Sequence, residues 1–424
     1  MSKRKKAQPE LVVTDSAFDR ARQEVEREIA EITDLPCYSP HIALRFPSFA
    51  LKYLIQYEGF PLGCFVMIVG KKGSFKSLLS IEIAKWHAQY AGLTILLDSE
   101  GGAIPLAQSI LGKQVMAYNC AALEDWQVLL TRLSRKLGDM VDNGAVFPVC
   151  YIIDSIVGAE SKDVGAKIEE EGFNKGSYPV EAKLIAGYLR HKNRLLLKYP
   201  FTLVGTNHLR EVLNPMTGTP EERIPGGTSL EYHAHLILKT KKTKRPEFSG
   251  DAYEGSVTIS VEKDRLGAEG KSIDVPIRFF RNEKDETVTE MNWHQATAEL
   301  LSKGTFFPVR TRDRIMKRLR EIINVESKSA GPYGLRYYCK ELDISADDAV
   351  NADELSLALE ARQDILDELY RLFLIRKAPF FQQGTSYAEQ LGNAAKFGLH
   401  SNTEAIPRNE YEDNPVDRES NNTP

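Results

Sequence analysis

Five short apolar runs set the rhythm of this chain. "CFVMIVG", "LTILLDSE", "VCYIIDSI", "FTLVGTNH" and "AHLILKTK" recur between about Pro47 and Arg281. Each is nearly continuous in apolar residues, the pattern of a strand buried on both faces. Between the early ones lie "SLLSIEIAKWHAQYAG" and "LEDWQVLLTRLSRKLGDMV", whose apolar positions recur at helical spacing. Strands alternating with helices predict an α/β fold, a mainly parallel sheet with helices on both faces. "GSVTISVEKDRLG" and "SIDVPIRFFRN" then predict a late β-hairpin. After about residue 300 the texture changes to charged helices. The expected divisions are a basic arm and helix over 1–38, an α/β core over 39–295, a small mainly helical unit over 296–382 and an acidic, disordered tail over 383–424.

Composition narrows the class without changing that picture. The chain has 424 residues, room for two or three domains, with 42% hydrophobic and 27% charged positions. No apolar run reaches the ~18 residues of a membrane span. The basic start "MSKRKKAQPE" is followed by no apolar stretch, so a secretory signal is not expected. The five cysteines are scattered with no C-x-x-C pair, which argues against zinc ribbons and disulfide frameworks and fits the cytoplasm, a host's if the chain is viral. Net charge is -4, so any nucleic-acid binding must come from local patches.

The candidate chemistry lies at the ends of the apolar runs. "VGKKGSFKSLLS" approximates the phosphate-binding pattern G-x-x-x-x-G-K-[ST], with a strand before it and a helix after it. The expected nucleotide-binding residues are Gly70, Lys71, Lys72, Gly73, Ser74, Phe75, Lys76, Ser77 and Leu78. Backbone N–H groups and the helix N-terminus would hold the phosphates, with Lys76 reaching the outer ones and Ser77 binding Mg²⁺. Phe75 stands where the pattern has its second glycine; a side chain fits there if φ is negative, since only a positive φ demands glycine. "TILLDSEGG" places Asp98 and Glu100 at a strand end, the edge of an open α/β sheet that faces the ligand. Glu100 is the expected general base. "VCYIIDSI" ends in Asp154, a Walker B position that would share the Mg²⁺ with Ser77.

In this order and spacing the motifs resemble those of RecA-type recombinases over roughly residues 40–290, continuing through "VGTNHLRE" and "IPGGTSLEYHAHLIL". The Ser-Phe-Lys-Ser loop and the Asn-His pair are similar to those of the UvsX-type recombinases of large phages, so Phe75 reads as a family variant. The resemblance implies a RecA-like core that binds ATP and Mg²⁺ and hydrolyses ATP when bound to DNA. It implies helical homo-oligomeric filaments on single-stranded DNA, pairing with homologous duplex DNA, strand exchange in recombination and repair, and partners of the single-strand-binding and loader kinds. It makes Asn207 and His208 a sensor of the terminal phosphate. It makes Lys263 and Arg265, two apart on a strand and so on one face, cations that reach the ATP of a neighbouring subunit. The N-terminal helix would be a polymerisation contact.

Two polar stretches sit where that family has its DNA-facing loops. "GAESKDVGAKIEEEGFNKGSYPVEAKL" follows Asp154, and "LREVLNPMTGTPEERIPGGTSLEY" follows His208. Long polar loops in compact domains are commonly functional. Lys162, Lys167, Lys175, Arg210 and Arg223 are candidate phosphate contacts, Leu213 and Met216 candidate wedges between bases, and Gly226 and Gly227 part of the same surface. Glu169, Glu170 and Glu171 would oppose DNA if they faced it. The C-terminal unit reads either as a winged-helix-like DNA-gathering module, with "LIRKAPFF" as its wing, or as a helical cap on the core.

Two other functions share parts of this pattern. A hexameric RecA-fold helicase carries the same core and a Lys-x-Arg hairpin; the roughly 35 residues before the core are short for its usual N-terminal domain. A non-catalytic recombination mediator would not be expected to keep Lys76, Glu100 and Asp154.

Overall fold

The computed structural model describes most of residues 42–302 and segments of 317–390, with Glu24 alone before them; breaks in the first span fall at 47, 172–177, 215, 250–251, 266–267 and 282–286. The core opens with a small antiparallel pair, β1 (Ala43–Arg45) and β2 (Gly59–Pro61), around helix α1 (Phe49–Ile55). Then come β3 (Phe65–Gly70), α2 (Lys76–Ala88), β4 (Leu93–Asp98), α3 (Ala103–Leu111), β5 (Val115–Asn119), α4 (Leu123–Asp142) and β6 (Val149–Asp154). Next are α5 (Lys162–Glu171), α6 (Tyr178–Lys198) and β7 (Phe201–His208). A short hairpin of β8 (Arg210–Leu213) and β9 (Pro220–Arg223) leads to α7 (Thr228–His233). Long strands β10 (Leu236–Ser249), β11 (Ala252–Asp264) and β12 (Ser272–Arg281) and the shorter β13 (Thr287–Met291) precede α8 (Trp293–Ser302).

Nine strands form one sheet in the order β13-β12-β11-β10-β3-β7-β6-β4-β5. From β10 to β5 it is parallel; from β10 to β13 it is antiparallel. The parallel half is the alternation expected from the apolar runs, and β11–β12 is the expected late hairpin. β3 is buried at every position, as its unbroken apolar run requires. Helix α4 is amphipathic and buries Leu123, Trp126, Leu130, Leu137 and Val141 along one stripe, whereas α2 is buried nearly all round.

The C-terminal unit contains a two-stranded hairpin, β14 (Glu326–Ser329) with β15 (Leu335–Tyr338). The end of "LIRKAPFF" is not a free wing. Ala43 N–H donates to Pro379 at 3.0 Å, Phe381 N–H donates to Ala43 at 2.9 Å, and Arg45 covers the Phe380 ring at 4.2 Å. Main-chain pairing with β1 and apolar burial of Phe381 tie this segment to the core. Tyr387 and Gln390, in the stretch expected to begin the tail, are also buried. The N-terminal arm and helix, apart from Glu24, and the tail beyond 390 lie outside the described residues.

Among the buried polar groups, one lysine lies wholly inside. Lys192 of α6 has no exposed surface. Its Nζ donates to the Leu130 carbonyl at 3.1 Å and to the Ser134 hydroxyl of α4, and it stands 4.7 Å over the Tyr151 ring. Burial without a carboxylate pushes its pKa down to about 7. The unfolded side chain takes up its proton near 10.5 and the folded one near 7, so between these values the unfolded state holds more protons. Stability therefore rises as pH climbs from 7 towards 10.5 and is lost on the way back down. Lys192→Met is expected to stabilise the fold at neutral pH by about 1–3 kcal/mol and to flatten that dependence, read by thermal melts across this pH range.

Candidate functional site

The sheet register assembles the site before any side chain is considered. Gly70 pairs with His208 across β3–β7, and Asp98 pairs with Asp154 across β4–β6. Ile153 pairs with Gly205, so β3 and β7 end two residues beyond β4 and β6, and the four carboxyl ends share one edge of the sheet, where open α/β sheets hold ligands.

The phosphate loop spans the end of β3 and the start of α2. A Cβ on Gly70 would stand 2.3 Å from Ser74 Oγ and 2.5 Å from Thr240 Oγ1, so only glycine fits beneath the loop. Those two hydroxyls are hydrogen-bonded at 2.8 Å and tie the loop to β10. Gly73 is left-handed at φ +71°. Helix α2 begins with no side-chain cap, which leaves its first N–H groups for an anion. Leu78, one turn in, is part of the core, and Lys72 is exposed.

Phe75 corrects the expectation of a negative φ. It sits at φ +65°, ψ 28°, in the left-handed region. That conformation costs an L side chain about 1–2 kcal/mol. The offset is packing: the half-buried ring lies 6.1 Å from the Phe279 ring of β12. The loop thus keeps the backbone shape that glycine would supply, held by contacts outside itself.

Lys76, His208 and Glu100 form a continuous chain. Lys76 Nζ donates to the Lys71 carbonyl at 3.1 Å and lies 3.4 Å from His208 Nδ1. His208 Nε2 lies 3.0 Å from Glu100 Oε1. The neutral tautomer protonated at Nε2 satisfies both contacts, accepting from Lys76 and donating to Glu100. Ser155 Oγ also donates to Glu100 Oε1, at 2.6 Å. Partial burial works to raise the Glu100 pKa, but these hydrogen bonds and the Lys76 charge outweigh it and hold the group below the usual carboxylate range. Burial lowers the Lys76 pKa against the pull of Asp154 and Glu100.

Asp154 is buried at the end of β6. It accepts from Thr206 Oγ1 at 2.5 Å and from the Ser77 side chain, and burial raises its pKa in spite of both. A hydroxyl and a carboxylate side by side at the loop suit a hard cation that keeps most of its water, so Ser77 and Asp154 fit Mg²⁺. Asp98 has a different task. It accepts the backbone N–H groups of Glu100, Gly101, Ala103 and Ile104 at 3.0, 2.7, 2.8 and 3.2 Å. It fixes the turn that carries Glu100 and caps α3.

The expected sensor pair separates. On a strand neighbouring side chains point to opposite faces, so His208 joins the Lys76–Glu100 chain while Asn207 turns away. Asn207 Nδ2 donates to the Pro225 carbonyl at 2.8 Å, tying the end of the hairpin segment to β7. Thr206 shares the face of His208 and reaches Asp154; sequence reading missed it, although its spacing of two from His208 was visible. Ser155, beside Asp154, was missed for the same want of a spatial partner.

The stretch after His208 is not an open loop. β8 and β9 pair Arg210 with Arg223 and Glu211 with Glu222. Arg210, Arg223 and Leu213 are exposed on it, and Met216 at the turn is 93% exposed. Facing carboxylates repel, and cations from the site separate them. Lys71 bridges Glu211 and lies 3.6 Å from Glu222, while Lys239 of β10 lies 2.9 Å from Glu222. Gly226 and Gly227, at φ +97° and +89°, close the segment onto α7. The stretch after Asp154, expected as a polar loop, contains the helix α5. Its first residue, Lys162, is engaged with Asp125 at 2.5 Å, and Glu124 accepts its N–H at 3.0 Å. Lys167 lies within α5, its side chain outside the described residues; Lys175 lies outside them altogether.

Lys263 and Arg265 share one anchorage. Lys263 Nζ donates to the carbonyls of Glu231 and Tyr232, and Arg265 to that of Tyr232, at the C-terminal end of α7. Lys263 pairs with Ile237, three residues before Thr240, the partner of Gly70. That puts it about 10 Å back along the sheet from its own phosphate loop.

Fold and loop together define a P-loop protein with a RecA-like core. The family model for the RecA N-terminal domain matches residues 42–282, more than half of the chain, and the chain belongs to the RecA family. It is 24% identical to Protein RecA of Oceanobacillus iheyensis over 60% of this chain and 67% of that protein. It is 22% identical to Protein RecA of Streptococcus equi subsp. equi over 76% of this chain and 85% of that protein. Against Protein RecA of Lactobacillus acidophilus it is 23% identical over 55% and 61%. No helix among the described residues is long and apolar enough to cross a membrane.

The left-handed Phe75 yields a direct test. Phe75→Ala loses the ring contact and keeps the backbone cost, whereas Phe75→Gly removes that cost. The glycine variant is expected to be the more stable of the two by about 1–2 kcal/mol in chemical denaturation; equal stability would mean that the loop relaxes to negative φ.

Proposed function

We propose that this chain is an ATP-dependent DNA recombinase: a DNA-dependent ATPase that assembles as a helical filament on single-stranded DNA and promotes homologous pairing and strand exchange. The observation that carries this reading is the Lys76–His208–Glu100 chain set beneath a hairpin with an exposed apolar tip. ATP is the substrate. Loop N–H groups and Lys76 bind its outer phosphates, and Ser77 and Asp154 hold Mg²⁺. The metal supplies charge neutralisation on the phosphates when bound. Glu100, kept ionised by Ser155 and His208, takes a proton from the attacking water. Strand exchange itself breaks no covalent bond, and hydrolysis resets the filament.

His208 is the sensor in this reading. A terminal phosphate beside Lys76 competes for the ammonium that His208 contacts, and His208 is one residue from the Leu209 that leads into the hairpin. Lys71 adds a second link, since it belongs to the phosphate loop and holds Glu211 and Glu222. Two links of this kind support a coupling between nucleotide state and DNA affinity. Arg210 and Arg223 meet phosphates, and Leu213 and Met216 enter between bases. Lys263 and Arg265 serve a neighbouring subunit's ATP. Their distance along the sheet from their own loop supports that assignment, as does their paired anchorage on α7.

The test is ATP hydrolysis with and without single-stranded DNA, joined to negative-stain imaging. DNA-stimulated hydrolysis with helical filaments is expected. Closed rings that unwind forked duplexes would favour the helicase, and no hydrolysis or assembly would favour the mediator. Glu100→Gln is expected to lower the DNA-stimulated rate by ~10²–10⁴-fold while nucleotide still binds. An unchanged rate would remove Glu100 from the mechanism.

A further inference from the structure

The cations around the phosphate loop are unequally engaged. Lys71 is shared by Glu211 and Glu222, and Lys239 by Glu222 and Glu262. Lys242 of β10 is exposed and has no carboxylate partner among the described residues. Its Nζ stands 5.5 Å over the centroid of the Phe75 ring. It also stands 4.0 Å from the point where a Cβ would leave Gly73, at the crest of the loop. Lys242 follows Thr240 by two residues on one strand, so both project from the same face. Thr240 already touches the loop through Ser74.

We propose that Lys242 is a further nucleotide-binding residue, a cation supplied in cis to the polyphosphate of the nucleotide in the loop and held ready by the Phe75 ring. The inference deepens the reading of this loop as an ATP site and rests on it. Three facts combine. An ammonium resting on an aromatic face is attracted to it without spending its hydrogen-bond donors, which remain for an anion. The ring limits the freedom of a long side chain, so less is lost when the ammonium settles on a phosphate. A polyphosphate in the loop carries several negative charges, and of the loop's two exposed lysines, Lys71 and Lys72, the first is already engaged with carboxylates. Phe75 thereby acquires a role that glycine could not fill: it gives the loop its left-handed corner and at the same time seats a cation beside it. The ligand class is a nucleoside di- or triphosphate.

The experiment uses the full chain and its Lys242→Met, Lys242→Arg and Lys76→Ala variants. ATP binding is measured by calorimetry without DNA, and hydrolysis kinetics with DNA. Lys242→Met is expected to weaken ATP binding and to raise KM by about 5-fold, the size of one partly screened charge contact, with kcat little changed. Lys242→Arg is expected to restore most of the affinity, and added salt to narrow the gap between native and Met forms. Unchanged ATP affinity in Lys242→Met would overturn the proposal. So would a fall in kcat and melting temperature with KM unmoved, which marks a structural role. If the native chain bound no ATP, or Lys76→Ala bound it as well as the native chain, the loop's reading as an ATP site would itself fail and the proposal with it.

Discussion

Everything chemical in this molecule depends on strand register. β3, β7, β6 and β4 are hydrogen-bonded side by side and in parallel; Gly70 falls beside His208 and Asp98 beside Asp154, and because Ile153 pairs with Gly205 the first pair lies two residues further along than the second. Because side-chain direction alternates with a period of two, a slip of one residue would turn each functional group to the opposite face. The near-continuous apolar strands are what prevent it. Buried on both faces, each is fixed by packing above and below, so the polar residue that follows can only emerge at the edge. The core thus does more than stabilise; it determines which atoms can meet.

The same logic explains what was legible in the sequence. The strands, the parallel half of the sheet, the phosphate loop and the acidic strand ends could be read because each is a local pattern. Glu100 could be placed near the site; that Asp98 serves as a four-fold backbone acceptor that fixes Glu100 could not, since both are carboxylates at one strand end. Asn207 and His208 looked like a unit because they are adjacent, yet adjacency on a strand means opposite faces. The hairpin after His208 looked like a loop because its strands are short and polar, and its register rests on cross-strand charges answered by Lys71 and Lys239, residues far away in sequence. Lys192 gave no signal, because nothing local says that a lysine in an amphipathic helix will turn inward.

The hairpin also shows how a polar element is held without a core. Glu211 opposite Glu222 is an unfavourable pair taken alone. It is retained beside two lysines, one from the phosphate loop and one from β10. Exposed ion pairs of this kind contribute little to stability and are screened by salt. Their effect here is positional: they bring an element with an exposed apolar tip against the loop through contacts weak enough to rearrange.

Phe75 carries the argument back to the loop. A phosphate loop with glycine at this place owes its shape to its own backbone freedom. With phenylalanine at φ +65° the shape is maintained from outside, by Phe279 of β12 and by the ammonium of Lys242 on β10. β10 and β12 belong to the antiparallel half of the sheet, the half that also carries Lys263. Loop geometry and the antiparallel strands are therefore mechanically linked in this chain. The contact between the loop and those strands runs through the Phe75 and Phe279 rings and the Lys242 ammonium, contacts that glycine at position 75 would not make.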